Sequence, residues 1–182
     1  MKKVALILVF LCVSGSGRAA DRLLLSVGAS YLKHADANYR AIYGSGAVQP
    51  EFELGFRIYR SLYVMGGYGA VSRSGKIPDF GFDARSTQSF LSAGFGFVDR
   101  IGKILMFKLE AGLADVMYTE DALESSFFGS KLGYQAEAGL LVAGKIVFAE
   151  VKVGYISATE TIRDVKFKLG GARIGIFAGI RL

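Results

Sequence analysis

Ala172-Arg173-Ile174-Gly175-Ile176-Phe177-Ala178-Gly179-Ile180-Arg181-Leu182 ends the sequence on a strict period of two. Ala172, Ile174, Ile176, Ala178, Ile180 and Leu182 form one set, all small or branched and apolar, while Arg173, Gly175, Phe177, Gly179 and Arg181 form the other. Successive side chains of a strand point to opposite faces, so a strand here has one wholly apolar face and one that mixes glycine with arginine. An edge strand in water is normally blunted by charge or proline, and nothing blunts the apolar set. The pattern fits the closing strand of a transmembrane β-barrel, with even positions in lipid and odd positions in the lumen.

Working outward, seven more segments alternate in the same way, each near the ~9–11 residues of a tilted membrane strand. They are Leu23–Leu32, Pro50–Ile58, Leu62–Val71, Thr87–Val98, Ile104–Ala114, Lys131–Val142 and Ile146–Ile156. In the second, Phe52, Leu54, Phe56 and Ile58 oppose Glu51, Glu53, Gly55 and Arg57; in the last, Val147, Ala149, Val151, Val153 and Tyr155 oppose Glu150, Lys152 and Gly154. The connections alternate in length. Tyr59–Ser61, Asp99–Lys103 and Ala143–Lys145 are short, whereas Lys33–Gln49, Ser72–Ser86, Asp115–Ser130 and Ser157–Asp164 are long. Helical patterning is confined to Tyr118–Ser126, inside one long loop. The expected fold is all-β, an eight-stranded antiparallel up-and-down transmembrane β-barrel.

The 182 residues suit one domain, and 24 glycines against 2 prolines suit long, closely packed strands. Met1-Lys2-Lys3, the apolar run Val4–Val13 and the small residues Ser14–Ala20 have the layout of a secretory signal peptide. Gly17 and Ala19 place cleavage after Ala19, giving a leader at 1–19 and a barrel domain at 20–182. The formal charge of +6 falls to +3 once Lys2, Lys3 and Arg18 leave with it, too mild to suggest nucleic acid. Cys12, the single cysteine, leaves too, so the mature chain has no disulfide and no thiolate metal site; no metal or cofactor is expected.

Alternation alone does not say which face is outside. The polar face is rich in glycine, which makes room for long charged chains in the narrow interior of an eight-stranded barrel. Its charges also balance: Glu51, Glu53, Glu110, Glu137 and Glu150 against Arg57, Lys108, Lys152, Arg173 and Arg181. Buried charges need partners, so these ten are expected to form a lumen network. Tyr31, Tyr68, Tyr134 and Tyr155 lie on the apolar face near the long-loop ends of their strands, where an aromatic girdle belongs.

With strand number, loop asymmetry and closing strand in place, the mature sequence resembles the small eight-stranded outer-membrane barrel proteins, the group that includes OmpX and the OmpA transmembrane domain. The resemblance implies export through the periplasm to a bacterial outer membrane and contact with outer-membrane lipid and lipopolysaccharide. It also implies a monomer inserted by the barrel-assembly machinery, with Ile174, Ile176, Ile180 and Leu182 as the assembly signal. Leu182 stands where the group more usually carries an aromatic. The role implied is structural or in surface interactions, with a plugged lumen; a narrow pore and a lipid A-modifying enzyme are the alternatives. Barrel enzymes of this size use a histidine and a serine. Here the single histidine, His34, lies next to Asp36 with Ser45 further along, which reads as an ordinary polar loop. No catalytic residues are expected. Arg40, Arg73, Lys76, Arg85 and Arg163 in the long loops suit phosphates of lipopolysaccharide.

Overall fold

A computed structural model describes residues 22–78, 81–122, 125–162 and 165–182. The expected leader at 1–19 and Arg163 lie outside the described residues. Eight strands follow in order: β1 (Leu23–His34), β2 (Gly46–Tyr59), β3 (Leu62–Lys76), β4 (Asp83–Arg100), β5 (Leu105–Ala122), β6 (Ser125–Ala143), β7 (Val147–Ile162) and β8 (Val165–Arg181). Each pairs antiparallel with the next, and β8 returns to β1 to close the barrel. The seam runs from Leu24↔Arg181 to His34↔Gly171, and Leu23 and Leu182 exchange both backbone hydrogen bonds, at 2.8 and 2.9 Å. No strand edge is left open along the seam.

Period-two patterning sets the two faces. In β8, Arg173, Gly175 and Phe177 are buried while Ile174, Ile176 and Ala178 are exposed, the parity expected from the sequence. The same division runs around the barrel: Val27, Leu54, Phe95, Leu113 and Val151 face out. Glycine shapes the lumen where large groups must fit. A Cβ at Gly28 or Gly175 would come within 3 Å of the Phe177 ring, which fills the lumen between those two strands.

The lumen is layered. Toward the short turns, Leu24, Tyr63, Met65, Met106, Leu141 and Phe148 belong to one apolar cluster. Toward the long-loop end, Leu32, Val71, Phe90, Val116, Ile156 and Leu169 belong to a second. Reading inward-facing residues along β7 gives the order directly: Phe148, then Glu150 and Lys152, then Ile156 and Ala158. The charged residues are therefore held between two apolar layers.

Two expectations are corrected. Three of the four long loops are mostly strand: β3 and β4 pair out to Lys76↔Asp83, β5 and β6 to Ala122↔Ser125, and β7 and β8 to Ile162↔Val165. Backbone pairing carries the ladders through these hairpins, and Val116, Ala158 and Leu169 keep their inner face apolar near the barrel. Between β6 and β7, by contrast, pairing stops at Tyr134↔Ser157, so the hairpins part above that point. Tyr118–Ala122, read as helical, belongs to β5. The helix among the described residues is instead α1 (Ala37–Tyr43), inside the first long loop. Asp36 caps it by accepting from the Tyr39 N–H at 2.9 Å, and Gly44, at φ 87°, ends it with an N–H bond back to the Arg40 carbonyl.

Candidate functional site

The charged layer comes from β1, β2, β5, β6, β7 and β8. Lys152 Nζ lies 2.8 Å from Glu53, 2.9 Å from Glu137 and 3.4 Å from Glu51, and 4.1 Å over the Phe177 ring. Lys108 pairs with Glu53 and, at 2.9 Å, with Glu150. Arg173 pairs with Glu137 and, at 3.3 Å, with Glu51, and donates to Gln135 Oε1 at 3.1 Å. Ser30 donates to Glu51, and Gln135 donates to Glu110 at 2.7 Å. Every one of these ion-pair side chains is less than 10% exposed. Between Glu51, Glu110, Gln135 and Lys152 remains a cavity of about 10 Å³, room for a single water.

Arg57 and Arg181 share the lumen face with this layer, but at a different depth. Arg57 is four residues below Glu53 on β2, about 13 Å along the strand, and lines a groove at the short-turn end with Arg22 and Arg60. Arg181 is eight residues below Arg173, about 26 Å, where it donates to the Gly144 carbonyl at 2.5 Å and lies against Met106 Sδ. Of the ten expected network residues, these two arginines thus lie nearer the short turns. The layer itself holds five glutamates against Lys108, Lys152 and Arg173.

A second polar group closes the long-loop end. α1 lies across the mouth, held by Tyr43 donating to Glu120 at 2.6 Å and by Arg40 donating to the carbonyls of His34 and Ala35. Asp36 also accepts from the Lys168 N–H of β8 at 3.0 Å, and Ser86 donates to Glu120 at 2.5 Å. His34, Tyr39 and Tyr43 stack in series at ring separations of 4.1 and 4.6 Å. Burial, with Arg73 nearby, lowers the His34 pKa to about 4. Burial raises Glu120 above the ordinary carboxylate range despite the hydrogen bonds from Ser86 and Tyr43, and pushes Tyr39 up to about 12. His34 is thus neutral at pH 7.

The His34, Asp36 and Ser45 trio does not assemble. Both Asp36 oxygens take backbone N–H groups, and the Ser45 hydroxyl lies 3.4 Å from Tyr31 Oη. His34 meets the Tyr39 ring. Sequence reasoning placed His34 in a solvated loop; in the fold it is 2% exposed, beneath α1. The inward parity of Leu24 to His34 along β1 was the available signal. Tyr31, Tyr68, Tyr134 and Tyr155 are all exposed on the outer face, as are Ile174, Ile176, Ile180 and Leu182.

No protein-family model matches the sequence, and no curated protein matches it. Solved structures do match in fold. The outer membrane protein OprG of Pseudomonas aeruginosa superposes with a TM-score of 0.71 at 11% identity, over 91% of this chain and 98% of that one. Neisserial surface protein A gives a TM-score of 0.65 at 15% identity, over 90% of this chain and 99% of that one. Ail, the attachment invasion locus protein of Yersinia pestis, in complex with the heparin analogue sucrose octasulfate, gives 0.58 at 15% identity over 90% and 99%. The chain thus has the fold of the small eight-stranded outer-membrane barrels.

Proposed function

We propose that the chain is an integral outer-membrane protein with a closed lumen and a structural or surface-interaction role. The observation that carries this reading is the apolar outer face. Val27, Leu54, Phe95, Leu113, Val151 and Ile176 are each at least 39% exposed, on six different strands around the barrel. In water such a belt would be a contiguous apolar patch far beyond what soluble monomers expose; in a bilayer it is solvated by acyl chains. The charges are turned inward, the reverse of a soluble barrel. The outward tyrosines Tyr31, Tyr68, Tyr134 and Tyr155 suit a girdle at the headgroup level.

In this reading the leader at 1–19 directs export and the barrel-assembly machinery reads the outer face of β8. The short turns face the periplasm, and α1 with the extended hairpins faces outward. A closed lumen is supported by the two apolar layers around the charged one, since an ion would have to be stripped of water to cross either. A non-catalytic role is supported by the backbone and tyrosine partners that occupy Asp36 and Ser45. The sulfated ligand of the Ail structure belongs to that protein. Here the outer basic residues Arg73, Lys76, Arg85 and Lys131 stand among Asp83, Asp115, Glu120, Asp121 and Glu160, so contacts with lipopolysaccharide phosphates are local pairings rather than a polyanion surface.

The test is expression with membrane fractionation, unheated against heated gel mobility, and planar-bilayer recording of the purified barrel. Outer-membrane recovery, a heat-dependent mobility shift and no stable conductance are expected. A soluble periplasmic protein overturns the membrane reading, and stable open channels overturn the closed lumen.

A further inference from the structure

One carboxylate of the charged layer stands apart from the ion pairs. Glu110 is 5% exposed, and among the described residues its one hydrogen-bond donor is the Gln135 amide, which meets Oε1. Its Oε2 is fully buried and accepts no hydrogen bond from the described residues. The β5–β6 register sets Glu110 directly opposite Glu137, and both are buried in the lumen. Like charges directly opposite on one face of a sheet repel, and burial removes the water that would screen them. Glu137 pairs with Arg173 and Lys152, and Glu53 with Lys108 and Lys152. Among the described ion pairs of the layer, none includes Glu110.

A third carboxylate reaches the same point from across the barrel. One oxygen each from Glu53, Glu110 and Glu137 lie within 4.8 Å of one another. Calcium binds oxygen at about 2.3–2.6 Å, so oxygens on opposite sides of one ion stand about 4.6–5.2 Å apart and these three fall within its reach. All three residues line the small cavity of the layer, whose far wall is Gly67, Gly69 and Ser92. The glycines leave that wall without side chains, and the space holds one water, or one bare ion of smaller size. Magnesium keeps several waters and demands a near-ideal octahedron, which so small a space denies it. Hard oxygen donors without sulfur or imidazole suit calcium better than zinc or copper.

We infer that Glu53, Glu110 and Glu137 form a calcium site inside the barrel. The ion lies between the opposed carboxylates of β5 and β6, satisfies Glu110 Oε2, and ties both strands to β2 across the lumen. The sequence carries no thiolate set, so no metal is expected from it; these oxygens come from three strands far apart in the chain and meet only in the closed barrel. In one property the inference rests on the closed lumen proposed above: an ion loaded during folding leaves slowly, because an apolar layer stands on either side of it. A proton shared between Glu110 and Glu137 would relieve the same contact without a metal, and the experiment separates the two.

The experiment uses the whole barrel refolded into phosphatidylcholine vesicles, either with radioactive calcium or with EGTA. Bound calcium is counted by equilibrium dialysis and again after a wash in EGTA. Both counts should give one ion per barrel, undisturbed by about a hundredfold excess of magnesium. Calcium should raise the urea midpoint of unfolding by at least about 1 M over EGTA. Glu110→Gln should weaken calcium binding at least about a hundredfold and take the midpoint shift with it. In EGTA that variant should unfold no more easily than the wild type, since an amide facing Glu137 relieves the like-charge contact. Should Glu110→Gln fail to fold, Glu110→Asp, shorter by one methylene, should bind at least about tenfold more weakly. Asp83→Asn/Asp121→Asn, in the recess at the outer end, should keep the ion. A wild type that binds no calcium overturns the inference in favour of the shared proton. Full binding by the Glu110 variants, loss of binding in Asp83→Asn/Asp121→Asn, or equal binding of magnesium overturns it as well. One Glu110-dependent calcium per barrel at equilibrium that the EGTA wash removes upholds the site and refutes the closed lumen instead.

Discussion

Lys152→Met is the sharpest probe of the lumen. Methionine keeps the length of the side chain and removes its charge. Lys152 Nζ is within 3.4 Å of three carboxylates, Glu51, Glu53 and Glu137, and its side chain is 3% exposed. Without it, five glutamates share two cations, Lys108 and Arg173. Removing one member of a buried ion pair costs about 3–5 kcal/mol, mostly the penalty of leaving the other buried charge uncompensated. Glu53 keeps Lys108, while Glu51 and Glu137 keep Arg173, which points to the lower half of that range. With a urea dependence of about 2 kcal/mol per M, the unfolding midpoint should drop by about 1.5–2 M. Equilibrium unfolding from lipid vesicles, followed by the heat-dependent gel shift, reads it. Adding Glu137→Gln to Lys152→Met restores the original charge excess and should recover at least about 1 kcal/mol, since neighbours in one network are not additive. Lys145→Met, in an exposed turn, should stay within about 0.5 kcal/mol of wild type. If Lys152→Met lies within 1 kcal/mol of wild type, the layer is solvated and the account of the lumen is wrong.

Ile176 is 70% exposed at the middle of β8, so Ile176→Asp should cut insertion into vesicles sharply, whereas Arg173→Ala should insert and unfold more easily; normal insertion of the aspartate variant would mean the faces are reversed. A Cβ on Gly94 would come within 3 Å of the Ala111 carbonyl and of Gly112 Cα on the neighbouring strand, so Gly94→Ala should destabilise the β4–β5 pairing, seen as faster amide exchange at Ala93 and Ala111. The mouth should also respond to acid. An unfolded histidine takes its proton near pH 6.5 but His34 only near 4, so the stability that neutral His34 lends to the closed mouth is present above 6.5 and is lost as pH falls toward 4. The full shift would correspond to about 3 kcal/mol, and the raised Glu120 works in the opposite sense, its contribution being lost as pH rises. Protection of the α1 amides should therefore weaken between pH 6.5 and 4 in the wild type and change less in His34→Gln.

How much of this was legible depended on hydropathy contrast. The eight strand cores were readable because lipid on one side and a packed lumen on the other force a period of two. The strand extensions were not: Ser72–Lys76 and Met117–Ala122 are exposed or half-buried throughout, so no sharp apolar alternation marks their pairing. α1 is only seven residues, too short for a helical period, although its Asp36 cap and Gly44 stop were in plain view. Parity correctly placed the lumen glutamates, Lys108, Lys152 and Arg173. It also placed Arg57 and Arg181 on the same face, and there it misled, because parity fixes the face of a residue and not its depth. Depth needs the register of each strand against its neighbours, and that register is a property of the closed barrel.

The seam between β1 and β8 has a consequence for how the barrel comes into being. Every other ladder joins neighbours in the sequence, whereas this one joins residues separated by nearly the whole domain. The equilibrium cost of that distance is small: each doubling of a closing loop adds only about 0.6 kcal/mol. Timing is the larger matter. Until β8 arrives, β1 carries an open row of backbone groups from Leu24 to His34, and once formed β8 carries another, each able to accept a strand from a second copy. Closure on itself competes with strand exchange, and dilution favours closure. A barrel refolded at high protein density should therefore yield interlocked dimers built from the same β1–β8 ladder, one copy's first strand completing the other's last.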